Sequence, residues 1–514
     1  MHWDQPQYGY PSQINSGAVL LDQGVDRGWG DRPCMIAADG SVSLTYGELF
    51  DWSNRIANVL SEDLGLLPGN RVLLRCFNNP WAVACWFGIV KAGGVVVTTM
   101  PLLRTSEIET TVNKAEIALA LCDSRLMGEM EGLSADIEVI PWGDGGAEDL
   151  LVRAASKSGQ FTPVDTAADD VALLAFTSGT TGEPKCAMHF HRDVLAIADM
   201  FNPVIHPRSD DLFCGSPPLA FSFGLGALVM FPMQIGASSL LTERPGEEFL
   251  KAIEEHAPTI CFTAPTAYRG MVASKDQFDL SSLRIGVSAG ETLPLPTWEQ
   301  FHDELGVELI DGIGATELLH IFISASGDAI RPGSTGLPLD GVVAQVVDEN
   351  VQPVPDGEVG LLAVQAPMGC RYLNDDRQQS YVRDGWNLTG DAYIRDDHGY
   401  FWYQARADDM IISSGYNIAG PEVEASILKH TGVAECAVVG VADEMRTQIV
   451  KAYVVLKDEA GSNDEMASEL QDFVKNDIAP YKYPRQVEFV QELPKTQTGK
   501  VQRYLLRQRE LDPN

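Results

Sequence analysis

The sequence predicts an α/β protein in which helices cover largely parallel β-sheets, with a smaller α+β unit at the C-terminal end. Short apolar runs such as RVLLRC and TICFT alternate with helical stretches as far as the run VELIDG, and this alternation is typical of parallel sheets covered by helices. From Thr335 to about Tyr403 the runs become short and alternate with turns, as antiparallel strands do. We therefore expect a large N-terminal domain of helix-covered sheets that ends in a β-barrel-like subdomain.

The N-terminal elements begin with a helix predicted to follow Thr45. Thr45 and Glu48 form a T-x-x-E capping box, which marks the start of a helix. A second helix is expected from Pro80, and Gly93 and Gly94 then lead into the strand VVVTT. The further predicted strands are ALALCD, VALLAF, SSLL, TICFT, LRIGVSA and VELIDG, and the further helices include 192–200 and 294–305.

The C-terminal unit is predicted to follow Arg406. It contains a helix over 421–429, the strands ECAVVGVA and KAYVVLK, another helix and the strand QVEFV. These elements span about a hundred residues, which is a usual size for a compact domain. We place the boundary at Asp408, so that the predicted domains are 1–407 and 408–514.

Composition limits the partners of this chain. Its 514 residues, 45% of them hydrophobic, can bury more than one core. The 37 Lys and Arg residues against 72 Asp and Glu residues give a formal charge of −35, which repels nucleic acid and anionic membranes. We expect neither as a partner. If the ligands are small anions, a few basic residues must reverse the potential inside the binding site.

The cysteines and the apolar segments indicate a cytoplasmic protein. The nine cysteines are scattered and form no C-x-x-C pair, as expected for reduced thiols, and no leader-like segment opens the chain. The uncharged stretch 219–241 is long enough to span a bilayer. Its three glycines, Pro232 and Gln234, and its lack of basic flanks favour a buried helix, turn and strand instead.

The loop TSGTTGEPK, residues 177–185, combines the features of a phosphate-binding loop. Two glycines after the apolar strand VALLAF allow a sharp turn that exposes backbone N–H groups. Four hydroxyls and Lys185 add donors and positive charge. The spacing is not that of a Walker loop, because Glu183 and Pro184 separate Gly182 from Lys185. Composition alone also allows an ordinary surface turn.

The complete string resembles the signature of the ATP-dependent adenylate-forming enzymes, which include acyl- and aryl-CoA synthetases, luciferases and peptide-synthetase adenylation domains. The resemblance implies that the loop and Lys185 hold the β- and γ-phosphates of ATP while a carboxylate attacks the α-phosphate. The loop residues to which the resemblance assigns this role are Thr177, Ser178, Gly179, Thr180, Thr181 and Gly182.

Four further segments resemble motifs of the same superfamily, in the same order. They are GIGATE at 312–317, LTGD at 388–391, RADDMI at 406–411 and PKTQTGK at 494–500. The resemblance implies that Thr316 contacts phosphate and that Glu317 helps to hold Mg²⁺, a cation that prefers carboxylate and phosphate oxygens. It also implies that Asp391 accepts hydrogen bonds from the ribose, that Arg406 contacts the ribose or a phosphate, and that Lys500 enters the site from the C-terminal domain.

The resemblance also implies two half-reactions carried out in two orientations of a mobile C-terminal domain. Acyl-AMP and pyrophosphate form first, and CoA then attacks the acyl-AMP. Asp408 occupies the hinge position, and the segment with Ser414, Gly415 and Tyr416 would line a tunnel for the pantetheine arm. Ala405 stands where the superfamily often has glycine, which matters only if φ is positive there.

The acid-binding segments most resemble those of benzoate and 2-aminobenzoate CoA ligases. These segments are FSFGLG at 221–226, GATELLHIF at 314–322 and HFHRDVLA at 189–196. Phe223 together with Ile321 or Phe322 could sandwich an aromatic ring, and His320 could hydrogen-bond an ortho substituent or the carboxylate. Ser222 and Gly312 would complete the wall. Alternatively, these aromatic residues and His320 belong to the core.

The predicted function is therefore that of an aryl-acid CoA ligase that uses ATP, Mg²⁺ and CoA. The alternatives are an acyl-adenylating enzyme with a non-CoA acceptor, or a short- or medium-chain acyl-CoA synthetase. A homodimer is left open. The His189 and His191 pair could suggest a metal site, but without a third ligand the pair favours a structural role.

Overall fold

The structure is a computed structural model that describes residues 8–177, 184–413, 416–443, 447–457, 463–478, 480–495 and 500–511. Its helices are α1 (Tyr46–Asn58), α2 (Pro80–Lys91), α3 (Thr105–Ala115), α4 (Met127–Met130), α5 (Leu150–Ala155), α6 (His191–Ile205), α7 (Ser222–Leu225), α8 (Phe231–Ile235), α9 (Glu247–His256), α10 (Pro265–Ser274), α11 (Leu295–Leu305), α12 (Gln378–Tyr381), α13 (Gly420–Leu428), α14 (Asp464–Asp477) and α15 (Arg503–Leu511).

The strands alternate with these helices in the first part of the chain and follow one another closely later. They are β1 (Pro33–Ala37), β2 (Ser43–Thr45), β3 (Arg71–Arg75), β4 (Val95–Thr99), β5 (Leu119–Asp123), β6 (Glu138–Trp142), β7 (Val171–Thr177), β8 (Lys185–Phe190), β9 (Leu212–Gly215), β10 (Ser238–Leu241), β11 (Ile260–Thr263), β12 (Ile285–Ser288), β13 (Glu308–Gly314), β14 (Ile321–Ser324), β15 (Leu337–Pro338), β16 (Val343–Val347), β17 (Val359–Gln365), β18 (Val382–Arg383), β19 (Trp386–Arg395), β20 (Phe401–Arg406), β21 (Ile411–Ser413), β22 (Tyr416–Ile418), β23 (Val433–Asp443), β24 (Thr447–Leu456) and β25 (Gln486–Phe489).

Two large sheets form the body of the N-terminal domain. In the first the order is β6-β5-β3-β4-β7-β8, and all neighbours are parallel except β7 and β8. In the second the order is β15-β14-β13-β12-β11-β9-β10-β1-β2, with a parallel centre and antiparallel ends. The predicted helix-covered parallel sheets are therefore confirmed. The antiparallel end strands were not predicted. The side-chain pattern of a strand is the same whether it runs parallel or antiparallel to its neighbour, so the sequence does not show its direction.

The third and fourth sheets divide the rest of the chain. Strands β16, β17, β18, β19 and β20 form an antiparallel sheet, as the alternating runs predict. In the C-terminal unit, β21 to β24 are antiparallel and β25 lies parallel to β24. The predicted boundary at Asp408 falls in the short helical turn Ala407–Asp409 between these two sheets.

Two segments of the N-terminal domain, α1 and the uncharged stretch 219–241, fold as their local sequence predicts. The Thr45 hydroxyl accepts from the Glu48 backbone N–H at 3.1 Å, and the Glu48 carboxylate accepts from the Thr45 N–H at 2.8 Å, so the capping box starts α1. The uncharged stretch forms buried helical turns through α7 and α8, then a turn at Gly236 (φ +74°) and strand β10. Within the described residues no helix is long and apolar enough to cross a membrane.

Candidate active site

The two ends of the glycine-rich loop lie in an antiparallel hairpin. Thr177 ends β7 and pairs with Lys185, which begins β8, and both are half-buried. The loop residues Ser178, Gly179, Thr180, Thr181 and Gly182 lie outside the described residues. Lys114 fixes the base of the loop, because its Nζ donates to the Pro184 carbonyl at 2.8 Å and pairs with Asp375 at 3.0 Å.

Thr316 and Glu317 form a short helical turn after β13, directly beside β8. Glu317 is only 9% exposed, and its Oε1 accepts a hydrogen bond from the Tyr372 hydroxyl at 2.5 Å. The Thr316 carbonyl accepts a hydrogen bond from His189 Nε2 at 2.8 Å. Lys185 Nζ lies 5.2 Å from the centre of the Tyr372 ring. The structure thus brings together the charged ends of the first two motifs.

Asp391 and Arg406 face each other across β19 and β20. Arg406 Nη1 donates to Asp391 Oδ1 at 3.0 Å and to the Thr389 carbonyl at 3.2 Å. Burial raises the pKa of Asp391, while Arg406 opposes this rise. Gly390, which precedes Asp391, has φ +77°, and a Cβ there would lie 2.9 Å from Arg406 Nη2. The T-G-D turn therefore needs its glycine for its backbone conformation.

Lys500 of the C-terminal unit reaches the same place. A Cβ on Gly290 would lie 3.9 Å from Lys500 Cε, and Lys500 interacts electrostatically with Glu291, Asp391 and Arg406. The Lys500 side chain is exposed, yet it lies close to Gly290, Glu291, Asp391 and Arg406 of the N-terminal domain, which form a cleft around it. Loss of surrounding water in this cleft is the main cause that lowers the pKa of Lys500, and Arg406 lowers it further. The lysine thus faces the Asp391 and Arg406 pair.

An aromatic cluster underlies the predicted acid pocket. Phe223 of α7 is half-buried, and its ring centre lies 5.9 Å from that of Phe262 and 5.6 Å from that of His320. The rings of Phe201 and Phe231 also contact His320, at 5.7 and 4.6 Å between centres. These residues form one apolar wall whose ring contacts are edge-to-face or tilted.

His320 is a neutral imidazole inside this wall. It is 2% exposed, and burial lowers its pKa to about 3. Its Nε2 lies 3.4 Å from the Phe223 carbonyl oxygen, which only accepts, so Nε2 carries the proton. Nδ1 is then an acceptor, and it is buried without a hydrogen-bond partner among the described residues. A buried unsatisfied acceptor of this kind suits a donor group on a ligand.

Small residues let the pocket walls approach each other. A Cβ on Gly226 would lie 2.4 Å from His320 Cδ2, and one on Gly312 would lie 2.8 Å from Ile321 Cγ2. Ser222 begins α7 and is half-buried. Ile321 and Phe322 are buried in the main core cluster, at 3% and 1% exposure. Their contact with a substrate ring stays a prediction, as does that of Ser222.

The predicted hinge and thiol-side face are only partly described. Asp408 lies in the turn Ala407–Asp409, and its side chain is outside the described residues. Ser414 and Gly415 also lie outside them. Ala405 is a buried residue of β20 without a positive φ, so alanine fits where the superfamily often has glycine.

The two histidines after the loop have structural partners. His191 Nδ1 accepts from the Ser16 backbone N–H at 3.1 Å, and burial lowers the pKa of both His189 and His191 to about 4. Among the described residues no group of three or more His, Cys, Asp or Glu side chains could hold a metal ion. His189 also bonds to the Thr316 carbonyl, and a structural role for the pair stays a prediction.

Three further residues near the site belong to none of the sequence motifs. Tyr372 contacts Glu317 and Lys185, Lys114 holds Pro184, and Glu291 lies in the electrostatic field of Lys500. Each is a single residue far from the motif that it serves. A lone tyrosine, lysine or glutamate carries no spacing signal, so only the fold reveals them.

Comparisons with known proteins agree with this geometry. Residues 23–371 match the family described as AMP-binding enzyme, and residues 422–500 match the AMP-binding enzyme C-terminal domain. A benzoate–CoA ligase of Thauera aromatica is 34% identical, over 98% of this chain and 97% of the relative.

Two solved structures resemble the whole chain. The anthranilate CoA ligase AuaEII in complex with anthranoyl-AMP has a TM-score of 0.91 and 32% identity, with 98% of each chain covered. A benzoate CoA ligase from Burkholderia xenovorans LB400 has a TM-score of 0.87 and 31% identity, over 96% of this chain and 100% of the other. The chain therefore belongs to the family of AMP-binding, adenylate-forming enzymes.

Proposed function

We propose that the protein is an aryl-acid CoA ligase of the benzoate or 2-aminobenzoate type. It converts an aromatic carboxylate and ATP into aryl-AMP and pyrophosphate, and then transfers the aromatic acyl group to CoA, which gives the thioester and releases AMP. The observation that carries the proposal is the aromatic wall of Phe223, Phe262 and His320, in which His320 follows Glu317 by three residues. Relatives that are named as benzoate and anthranilate CoA ligases support it over the full chain length.

In the first half-reaction the carboxylate attacks the α-phosphorus, and the protein supplies alignment and positive charge. Lys185 stands at the loop that would hold the β- and γ-phosphates. Lys500 approaches from the other side of the cleft, and Asp391 and Arg406 form the pair expected to bind the ribose. These few cations reverse the potential of a chain with a formal charge of −35.

Glu317 has the chemistry of an Mg²⁺ ligand in this site. Mg²⁺ is usually held by one or two carboxylates, by substrate phosphates and by water. A single buried carboxylate beside the phosphate loop, without a larger cluster of metal ligands in the described part of the chain, fits that pattern. Bound there with ATP, the cation would neutralise phosphate charge.

The unpartnered acceptor on His320 favours an acid with a hydrogen-bond donor next to its carboxylate. A carboxylate accepts hydrogen bonds only, so neutral Nδ1 of His320 does not suit it. The amino group of 2-aminobenzoate, or a hydroxyl in the same position, satisfies Nδ1 and lifts the penalty of a buried unsatisfied acceptor. We therefore place 2-aminobenzoate and 2-hydroxybenzoate ahead of benzoate as substrates.

In the second half-reaction the C-terminal domain turns about Asp408, and the segment 414–416 comes to face CoA.

The nine cysteines are all unpaired and buried, which fits an enzyme of the reducing cytoplasm.

The test is a panel of benzoate, 2-aminobenzoate, 2-hydroxybenzoate and short fatty acids with ATP and Mg²⁺, with and without CoA. AMP release and the mass of the thioester are measured together. We expect thioesters of the aromatic acids. Acyl-AMP trapped by hydroxylamine without any thioester would instead indicate a non-CoA acceptor, and preferred turnover of the fatty acids would reject an aryl-acid ligase.

A further inference from the structure

Tyr372 lies between the cation of the phosphate loop and the carboxylate of the Thr316–Leu318 turn. Its hydroxyl donates to Glu317 Oε1 at 2.5 Å, while Lys185 Nζ lies 5.2 Å from its ring centre. No ion pair joins Lys185 and Glu317 in the part of the chain that the structure describes. The aromatic ring therefore keeps two opposite charges apart, with the cation at its face and the carboxylate at its hydroxyl.

The backbone around Tyr372 is fixed to the strand that follows the loop. Leu373 N donates to the Cys186 carbonyl at 2.8 Å, and Met188 N donates to the Arg371 carbonyl at 2.7 Å. Tyr372 N donates to Gln378 Oε1 at 2.7 Å. Tyr372 is 6% exposed. Because its main chain is paired with β8, its side chain keeps a constant position relative to Lys185.

The chemistry of this contact suits a carboxylate that must stay charged. The Tyr372 hydroxyl carries a proton at neutral pH, as an ordinary tyrosine does, and donates it in a hydrogen bond to Glu317 Oε1. A neutral donor orients the carboxylate and leaves its negative charge in place. A lysine in the same position would neutralise that charge. A carboxylate that is held through one oxygen presents the other oxygen to a cation.

We propose that Tyr372 is a positioning residue that orients Glu317 toward a divalent cation and prevents Glu317 from pairing with Lys185. The inference rests on the proposed function, because Glu317 needs this orientation only if a cation accompanies ATP. Outer partners of metal ligands commonly change metal affinity by about 10- to 100-fold when they are removed. The same factor is expected here.

The experiment uses Tyr372→Phe, which retains the ring that faces Lys185 and removes only the hydroxyl. Mn²⁺ binding to the full-length enzyme with ATP but without acid is measured by electron paramagnetic resonance. We expect roughly 10- to 100-fold weaker Mn²⁺ binding. The Mg²⁺ concentration that gives half-maximal aryl-AMP formation should rise by a similar factor.

Tyr381→Phe is the matched control. Its ring centre lies 5.9 Å from Lys185 Nζ, but its buried hydroxyl has no hydrogen-bond partner among the described residues. Mn²⁺ binding should be unchanged in this variant. Wild-type Mn²⁺ affinity in Tyr372→Phe, or equal losses in both variants, would overturn the inference while wild-type aryl-AMP formation still supports the proposed function. Absence of aryl-AMP from the wild-type enzyme with every acid would overturn the proposed function itself.

Discussion

Asp391 and Arg406 are directly opposite each other on neighbouring antiparallel strands, and their side chains meet at 3.0 Å. Asp391 is 9% exposed, and the main-chain N–H of Asp391 also donates to the Thr389 hydroxyl at 3.2 Å. A buried carboxylate with one charged partner is oriented before any ligand arrives. This relationship leads to the first prediction.

Asp391→Asn should weaken ATP binding. Loss of a hydrogen bond to a charged group commonly costs about 1.5–3 kcal/mol, or roughly 10- to 150-fold in KM for ATP. The measurement is the KM for ATP in aryl-AMP formation. The control is Asp356→Asn, which breaks the exposed pair of Asp356 with Arg395 at 2.6 Å on the same sheet. Equal ATP affinity in both variants would contradict a nucleotide role for Asp391.

Lys500→Ala should impair the first half-reaction alone. Loss of a preorganised charge contact in a closed site commonly costs about 3 kcal/mol or more, roughly a hundredfold in rate. Thioester formation from synthetic aryl-AMP and CoA should hardly change. Lys495→Ala is the control, because Lys495 belongs to the same PKTQTGK segment but pairs with Glu435 at 2.6 Å. Equal losses in both half-reactions would reject a half-reaction-specific lysine.

Asp408→Pro should have the opposite effect. Proline fixes φ and hinders rotation at the predicted hinge, so aryl-AMP should form and then accumulate. The measurement is a single-turnover experiment in which aryl-AMP and thioester are followed in the same sample. Ala407→Ser, a neighbouring change that leaves φ free, is the control. Normal conversion of aryl-AMP to thioester in Asp408→Pro would place the hinge elsewhere.

Aryl-AMP formation should decline at alkaline pH because Lys500 loses its charge. The cleft lowers the pKa of Lys500, and only the protonated amine neutralises phosphate. Activity that depends on this charge is present below the folded-state pKa of Lys500 and is lost as pH rises through it. Lys500→Arg should move this loss to higher pH, because arginine stays charged. The pH profile of kcat/KM for aryl-AMP formation tests this, and identical alkaline limbs would assign the ionisation to another group.

His320→Ala and Phe223→Ala should alter acid preference more than ATP binding. Loss of a stacked ring should cost about 1 kcal/mol or more, and loss of the Nδ1 acceptor should lower the preference for 2-aminobenzoate over benzoate. The measured quantity is the ratio of kcat/KM for the two acids, with the KM for ATP as an internal control. An unchanged ratio in both variants would show that neither residue lines the acid pocket.

Gly226→Ala should displace His320 within the aromatic wall. The new Cβ would lie 2.4 Å from His320 Cδ2, closer than atoms of a packed core tolerate, so His320 must shift. We expect a changed acid preference together with a lower melting temperature. Gly128→Ala in α4 is the control, because a Cβ there would meet nothing within 4 Å. Unchanged preference in Gly226→Ala would show that the wall adapts without cost.

The sequence by itself determined those features that depend on neighbouring residues. The Thr45 and Glu48 capping box, the alternation of strands and helices, and the helix, turn and strand within 219–241 are local, because hydrogen bonds and φ preferences act over a few residues. The ordered motifs likewise led to the prediction of which residues bind ATP, because each motif is a short run of neighbouring residues.

Only the tertiary structure decided which distant residues support the motifs. Tyr372 meets Glu317 across 55 positions, and Lys114 meets Pro184 across 70. The antiparallel strand β8 brings Lys185 to Tyr372, and burial among core side chains keeps His320 neutral. Burial and long-range contact depend on how sheets stack, and no spacing in the chain encodes that arrangement.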